Sequence, residues 1–327
     1  MSLEIGAKKV IEECMGVSPG ENVLIIADTE KQAIGEALFN AAINAKTEAM
    51  YIIMLPRSRP GEEPPEGIAE LMKHVDVVVA PTKCSLTHTQ ARREACKLGV
   101  RIATMPDISS EMFSKGGLTA DFKAVRNRIE HAYEKIKNAQ TAHITTAKGT
   151  DLKLNINAER WVKDTGILQE HGQYGNLPAG ELFLAPDEGT ANGTLIVDGA
   201  MAGTPELDEP IKITIENGFA VKIEGGEAAE ILRKMLAGAG EKLKAVGSDP
   251  KLVFNIAELG IGMNDKAKVI GSPLEDEKVL GTVHVAVGDN STFGGNVKAG
   301  VHLDGIIMEP TLKLDDVELI KNGELQL

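Results

Sequence analysis

Three short, continuous apolar runs in the first half constrain this chain more than any other feature: Val23-Leu24-Ile25-Ile26-Ala27, Val75-Asp76-Val77-Val78-Val79-Ala80 and Val100-Arg101-Ile102-Ala103-Thr104. A strand that is apolar on both faces must be covered on both faces, and a parallel sheet flanked by helices provides that cover. Helical apolar spacing over residues 3–14, 31–44 and 87–97 supplies the helices, and Met50-Tyr51-Ile52-Ile53-Met54-Leu55 supplies a fourth strand. The pattern predicts an α/β N-terminal domain with a parallel sheet and flanking helices, of doubly wound type, over residues 1–137. Its strand ends carry Asp28, Pro56, Pro81 and Pro106-Asp107, where ligands of such sheets bind. None of the runs leads into a Gly-x-Gly-x-x-Gly turn, so a dinucleotide site is not expected.

A polar helical stretch, 120–137, reads as a connector, and the pattern beyond it changes. Alternating runs at 142–146 and 152–156 flank Lys148-Gly149-Thr150-Asp151. Asn217-Gly218 joins Ile211-Lys212-Ile213-Thr214-Ile215 to Ala220-Val221-Lys222-Ile223, a strong hairpin signal. One helix is expected over 227–236. Residues 138–327 are thus predicted to form a β-rich α+β domain.

Composition removes several function classes. A formal charge of −13 argues against a nucleic-acid partner, and 3% aromatic residues leave little for base stacking. No apolar run approaches the roughly 20 residues that span a bilayer, and Met1-Ser2-Leu3-Glu4-Ile5 lacks a secretory layout. Cys14, Cys84 and Cys96 are odd in number and widely spaced, so no disulfide framework is expected and a cytoplasmic location fits.

The chemistry is concentrated near the C-terminal end. In Gly300-Val301-His302-Leu303-Asp304-Gly305-Ile306-Ile307, a strand pattern, the imidazole and the carboxylate are two apart and share a face. His284 lies in a second strand-like run, 281–288, and Glu258 closes a third, Leu252-Val253-Phe254-Asn255-Ile256-Ala257-Glu258. A lone histidine on an apolar strand is more often a hydrogen-bonded core residue, and a His-x-Asp pair can be purely structural. Four ionisable groups on apolar strands are costly to bury unless they pair or bind a metal, and the set points to a metal site built on a sheet.

Several segments resemble the metallopeptidase family of the thermophilic aminopeptidases T and S. They are Asn176-Leu177-Pro178-Ala179-Gly180-Glu181-Leu182-Phe183, Ala257-Glu258-Leu259-Gly260-Ile261-Gly262, Gly281-Thr282-Val283-His284 and His302-Leu303-Asp304, with a looser match in the first half. The resemblance implies that Glu181, Glu258, His284, His302 and Asp304 bind two divalent ions (zinc, cobalt or manganese) that activate a water to attack a short peptide. It also implies that Glu181 or Glu258 moves the proton, with Glu277 a weaker candidate, and that the protein is a homodimer. The family carries a tyrosine seven residues after the histidine matching His284; here that position is Ser291. The ring-opening dioxygenases of dihydroxypyridines resemble the same peptidases and use one Fe(II). In that reading His284, His302 and Asp304 hold the iron, and His88 and His171 are acid or base candidates. A non-catalytic metal-binding relative is the third reading. The peptidase is the leading expectation, because Glu181 and Glu258 have no obvious task at a single iron.

Overall fold

A computed structural model describes residues 3–327. The chain divides into two compact units. The first takes in the chain up to Arg126, with Asp164–Gly180 and Asp265–Ala267; the second is Asn127–Lys163, Glu181–Asn264 and Lys268–Leu327.

The apolar runs of the first unit form an all-parallel sheet in the order Glu48–Met54, Asn22–Asp28, Val77–Thr82, Arg101–Pro106, Tyr174–Asn176. Alternate side chains of the Asn22–Asp28 strand serve opposite faces. Leu24 and Ile26 join Ile68, Met72, Ala91 and Ala95 in one core cluster. Ala27 faces the other way against helix Gln32–Asn44, where a Cβ on Gly35 would come within 2.8 Å of the Ala27 methyl. Helices therefore cover both faces, as the two-sided apolar runs require. Helix Gln90–Lys97 starts three residues later than its pattern suggested, because Thr89 accepts a hydrogen bond from the Arg92 amide and caps it. The fifth strand, Tyr174–Asn176, is a three-residue piece without an apolar run, and only its register against Ile102–Thr104 reveals it.

The second unit contains an eight-stranded sheet with antiparallel pairings and part of a five-stranded one. The Asn217-Gly218 hairpin forms between Ile211–Glu216 and Phe219–Glu224, both turn residues having positive φ (49° and 80°). The following helix runs Glu227–Ala245, well past the expected 236. Its Gly238 and Gly240 look like a stop signal, but Gly240 is buried against Pro250, where a Cβ would meet the Pro250 carbonyl at 3.3 Å.

Four strands of the smaller sheet, His302–Ile307, Val283–Gly288, Ile256–Gly262 and Glu181–Leu184, are successive antiparallel neighbours. The expected strand 252–258 is displaced. Asp249 caps a 3-10 turn over Pro250–Phe254, so the strand begins only at Ile256 and Glu258 lies inside it rather than at its end. One face of this sheet is apolar: Leu259, Ile261, Val283, Val285 and Ile307 are fully buried, and Gly305 lies against Val197 of the eight-stranded sheet. An α/β unit with a parallel sheet and a β-rich unit are the architecture that the sequence pattern predicts. Among the described residues, no helix is long and apolar enough to cross a membrane.

Candidate metal centre

The other face of the smaller sheet carries the ionisable residues, and register brings them together. Glu258 pairs with Ala286, Gly260 with His284, and Gly262 with Glu181 across the Ile256–Gly262 strand. Asp304 faces Ala286, and His302 faces Gly288, on the next strand pair. Cross-strand partners share a face, so Glu181, Glu258, His284, His302 and Asp304 converge above a floor of glycine and alanine. That floor is required by space. A Cβ on Gly260 would lie 1.9 Å from His284 Nε2.

The cluster is tight. His284 Nε2 lies 3.2 Å from Glu181 Oε2 and 3.1 Å from Glu258 Oε1, while His302 Nε2 lies 3.3 Å from Glu258 Oε2 and 3.2 Å from Asp304 Oδ1. His284 is fully buried; Glu181, Glu258 and Asp304 are nearly so. Glu277 joins from the segment after the short helix Pro273–Asp276, and Lys278 beside it donates to Glu181 Oε1 (2.6 Å) and Glu277 Oε1 (2.5 Å). Ligand atoms fall within 4.8 Å of one another in three sets: Glu181, Glu258 and His284; Glu258, His302 and Asp304; Glu277, His284 and Asp304. Each of the five residues singled out in the sequence is in at least one set. His284 and His302 share none of them.

The electrostatics are those of a site short of positive charge. Burial disfavours charge on both imidazoles, yet Glu181 and Glu258 around His284, and Asp304 and Glu258 around His302, outweigh it and hold both well above the ordinary value. Burial would raise Asp304, but the neighbouring His302 holds its carboxyl down at about 2. Burial likewise opposes ionisation of Glu181, and Lys278 overcomes it. Glu277 goes the other way: burial pushes it up to about 8, Lys278 opposes the rise, and Glu181 and Asp304 add to it. Asp304 Oδ1 and Glu181 Oε2 are buried with nothing but a histidine Nε2 at 3.2 Å to partner them, and His284 Nδ1 is buried without a hydrogen-bond partner. Buried polar atoms are rarely left so. Carboxylate oxygens and imidazole nitrogens so close together and so little satisfied fit a divalent cation better than an apolar core.

A loop sets the orientation of His302. The Asp289 carbonyl accepts from His302 Nδ1–H (2.7 Å), which turns Nε2 toward Glu258 and Asp304. The Asp289 carboxylate in turn accepts from Ser291 N, Ser291 Oγ, Ala299 N and Gly300 N. Ser291, at the position of the peptidases' tyrosine, is thus a loop-building residue. Phe293 packs edge-on to His302 and to Phe183, with ring centroids 5.6 Å apart in both pairs. Asp289→Ala removes four acceptor contacts and frees the loop that aims the imidazole. It is expected to weaken binding of Mn(II), followed by titration, by about ten- to a hundredfold.

His88 and His171 are exposed, on turns of the first unit. Lys278, Gly260 and Asp289 escaped the sequence reading. Glu275-Asp276-Glu277-Lys278 has the composition of a solvated surface run, although Glu275, Asp276 and Lys278 are all buried.

The fold and this cluster define a protein with a sheet-built centre of carboxylates and imidazoles suited to a divalent metal. The family model for NicX, 2,5-dihydroxypyridine 5,6-dioxygenase, matches residues 5–327, and the chain belongs to that family. The 2,5-dihydroxypyridine 5,6-dioxygenase of Pseudomonas putida is 27% identical over 255 residues, covering 73% of this chain and 68% of the relative. The solved structure of 2,5-dihydroxypyridine dioxygenase from P. putida KT2440 superposes with a TM-score of 0.82 at 21% identity, covering 100% of this chain and 98% of that one. Wild-type AmpT from Thermus thermophilus superposes at 0.69 with 17% identity, over 99% of each chain. The family match overturns the aminopeptidase expectation, and with it hydrolase chemistry and a short-peptide substrate. The kinship with AmpT is one of fold.

Proposed function

We propose that this protein is a ring-opening dioxygenase that adds dioxygen to a dihydroxypyridine at a centre holding one Fe(II). Family membership across residues 5–327 is the observation that carries the reading. Of the three sets, Glu258, His302 and Asp304 hold the iron best, because Asp289 orients His302 so that its Nε2 faces both carboxylates. Bound there, ferrous iron would supply a site at which a ring oxygen and dioxygen meet, given open coordination positions. The chain's own contribution is orientation. Phe183 and Phe293 put aromatic surface beside His302, suited to a flat heteroaromatic ring. Burial of Glu258 and Asp304 keeps bulk water from the metal-facing oxygens.

The test is anaerobic reconstitution with Fe(II), then addition of 2,5-dihydroxypyridine in aerated buffer. Loss of ring absorbance with matching dioxygen uptake is the expected result, and zinc-loaded protein should show neither. An iron-loaded protein that consumes no dioxygen with this ring, or with its dihydroxypyridine isomers, sinks the proposal.

A further inference from the structure

Lys278 is the one group in the cluster that sequence reasoning gives no task. Its side chain is only 2% exposed, and its ammonium lies between Glu181 Oε1 and Glu277 Oε1. The backbone on either side is held: the Lys278 amide donates to the Glu275 carbonyl, and its own carbonyl accepts from the Asn264 amide at 2.8 Å. The ammonium is therefore a fixed part of the centre, unlike a surface lysine that can swing away.

Its place bears on how many metal ions the centre can take. The donor sets allow one ion on Glu258, His302 and Asp304 and a second on Glu181, Glu258 and His284, with Glu258 shared. The second set needs Glu181, whose Oε1 accepts from Lys278 and whose Oε2 faces His284 Nε2 at 3.2 Å. With carboxylate–metal bonds of about 2.1 Å, an ion on Oε2 would sit within about 7 Å of Nζ. Two buried cations at that distance repel each other with little screening.

We propose that Lys278 acts as a built-in second cation, holding Glu181 and Glu277 and limiting the centre to one divalent metal ion per chain. The inference deepens the single-iron reading above and assigns the two glutamates a partner: Glu181 and Glu277 pair with the lysine instead of ligating metal. Lys278 is thus a residue that sets metal count, with no contact to substrate required of it.

The test uses Mn(II) as probe on the full chain, counting bound ions by equilibrium dialysis with elemental analysis and reading their spacing by electron paramagnetic resonance. Wild-type protein should saturate at one ion with the spectrum of an isolated centre. Lys278→Met should saturate at two, with the broadened spectrum of a coupled pair, and Lys278→Arg should stay at one. Two ions in the wild type, or one ion in a folded Lys278→Met, overturns the proposal. If Lys278→Met does not fold, Glu181→Gln decides. A change in Mn(II) affinity of less than about threefold supports pairing with the lysine, and a loss of about a hundredfold or more makes Glu181 a ligand and refutes it. Ion count does not depend on turnover. A one-ion protein inactive on dihydroxypyridines would refute the function and leave this inference standing.

Discussion

Gly260→Ala is expected to abolish stoichiometric metal binding while leaving a folded chain. Gly260 lies opposite His284 on the neighbouring strand, and its missing side chain is the space that the imidazole occupies. An added methyl would stand 1.9 Å from Nε2, 2.2 Å from Cε1 and 2.7 Å from Cδ2. The ring has no room to shift within the cluster. It is fully buried, and Nε2 is flanked by Glu181 and Glu258. The backbone cannot yield either, because Ile256–Gly262 is paired on both sides, with Val283–Gly288 and with Glu181–Leu184. The methyl therefore expels the imidazole or forces the strands apart. Overpacking of this kind costs about 1–3 kcal/mol, small enough for a two-unit protein to remain folded but large for a site that depends on sub-ångström placement. Circular dichroism would show the fold retained, and elemental analysis after dialysis should show less than about a tenth of an ion per chain at metal concentrations that saturate the wild type. Full occupancy in the variant would mean that His284 and its neighbours do not need this packing.

What the sequence discloses here, and what it hides, follows from the range of the interactions. The parallel sheet is legible because burial on both faces leaves uninterrupted apolar runs such as Val23–Ala27, a local signature. The short strand Tyr174–Asn176 is not legible, since a glycine and an asparagine in an edge piece have no pattern of their own. His302 and Asp304 could be paired from strand period alone, and their common face is observed. Their meeting with Glu181, 121 positions before His302, is set by register across three strand pairings, which no local pattern encodes. Lys278 was hidden for the opposite reason: its acidic neighbours Glu275, Asp276 and Glu277 give it the look of solvated helix surface, and only the tertiary fold buries it.

The mistaken chemistry has a related cause. Carboxylates and imidazoles on one sheet face bind a divalent ion whether the ion then polarises a carbonyl or meets dioxygen. The residue types at 181, 258, 284, 302 and 304 are common ground between the two outcomes, and a shared scaffold with AmpT adds only fold. The geometry gives Glu181 and Glu258 surroundings that no local pattern shows. Glu181 has a lysine partner, and Glu258 is grouped with His302 and Asp304.

That placement of Glu258 makes its replacement the sharpest probe of the centre. Glu258→Gln keeps the shape of a residue only 6% exposed, so the strand and its packing should survive. What disappears is the one carboxylate that reaches both imidazoles, through Oε1 to His284 and Oε2 to His302. The amide nitrogen that replaces one oxygen is a donor with no lone pair for a metal. One of the three proposed iron-holding groups is thereby reduced to a neutral, single-oxygen ligand in a site that already needs positive charge. The expected result is a loss of Fe(II) and Mn(II) affinity of about a hundredfold or more, near 3 kcal/mol, with dioxygen uptake on the dihydroxypyridine falling at least as far at limiting iron. Glu181→Gln, made in parallel, should alter affinity little, because that carboxylate answers to Lys278. If the two variants weaken the metal equally, both glutamates are ligands of one centre. If Glu258→Gln binds as the wild type does, the iron lies elsewhere on this sheet face, and the set of Glu277, His284 and Asp304 becomes the one to test.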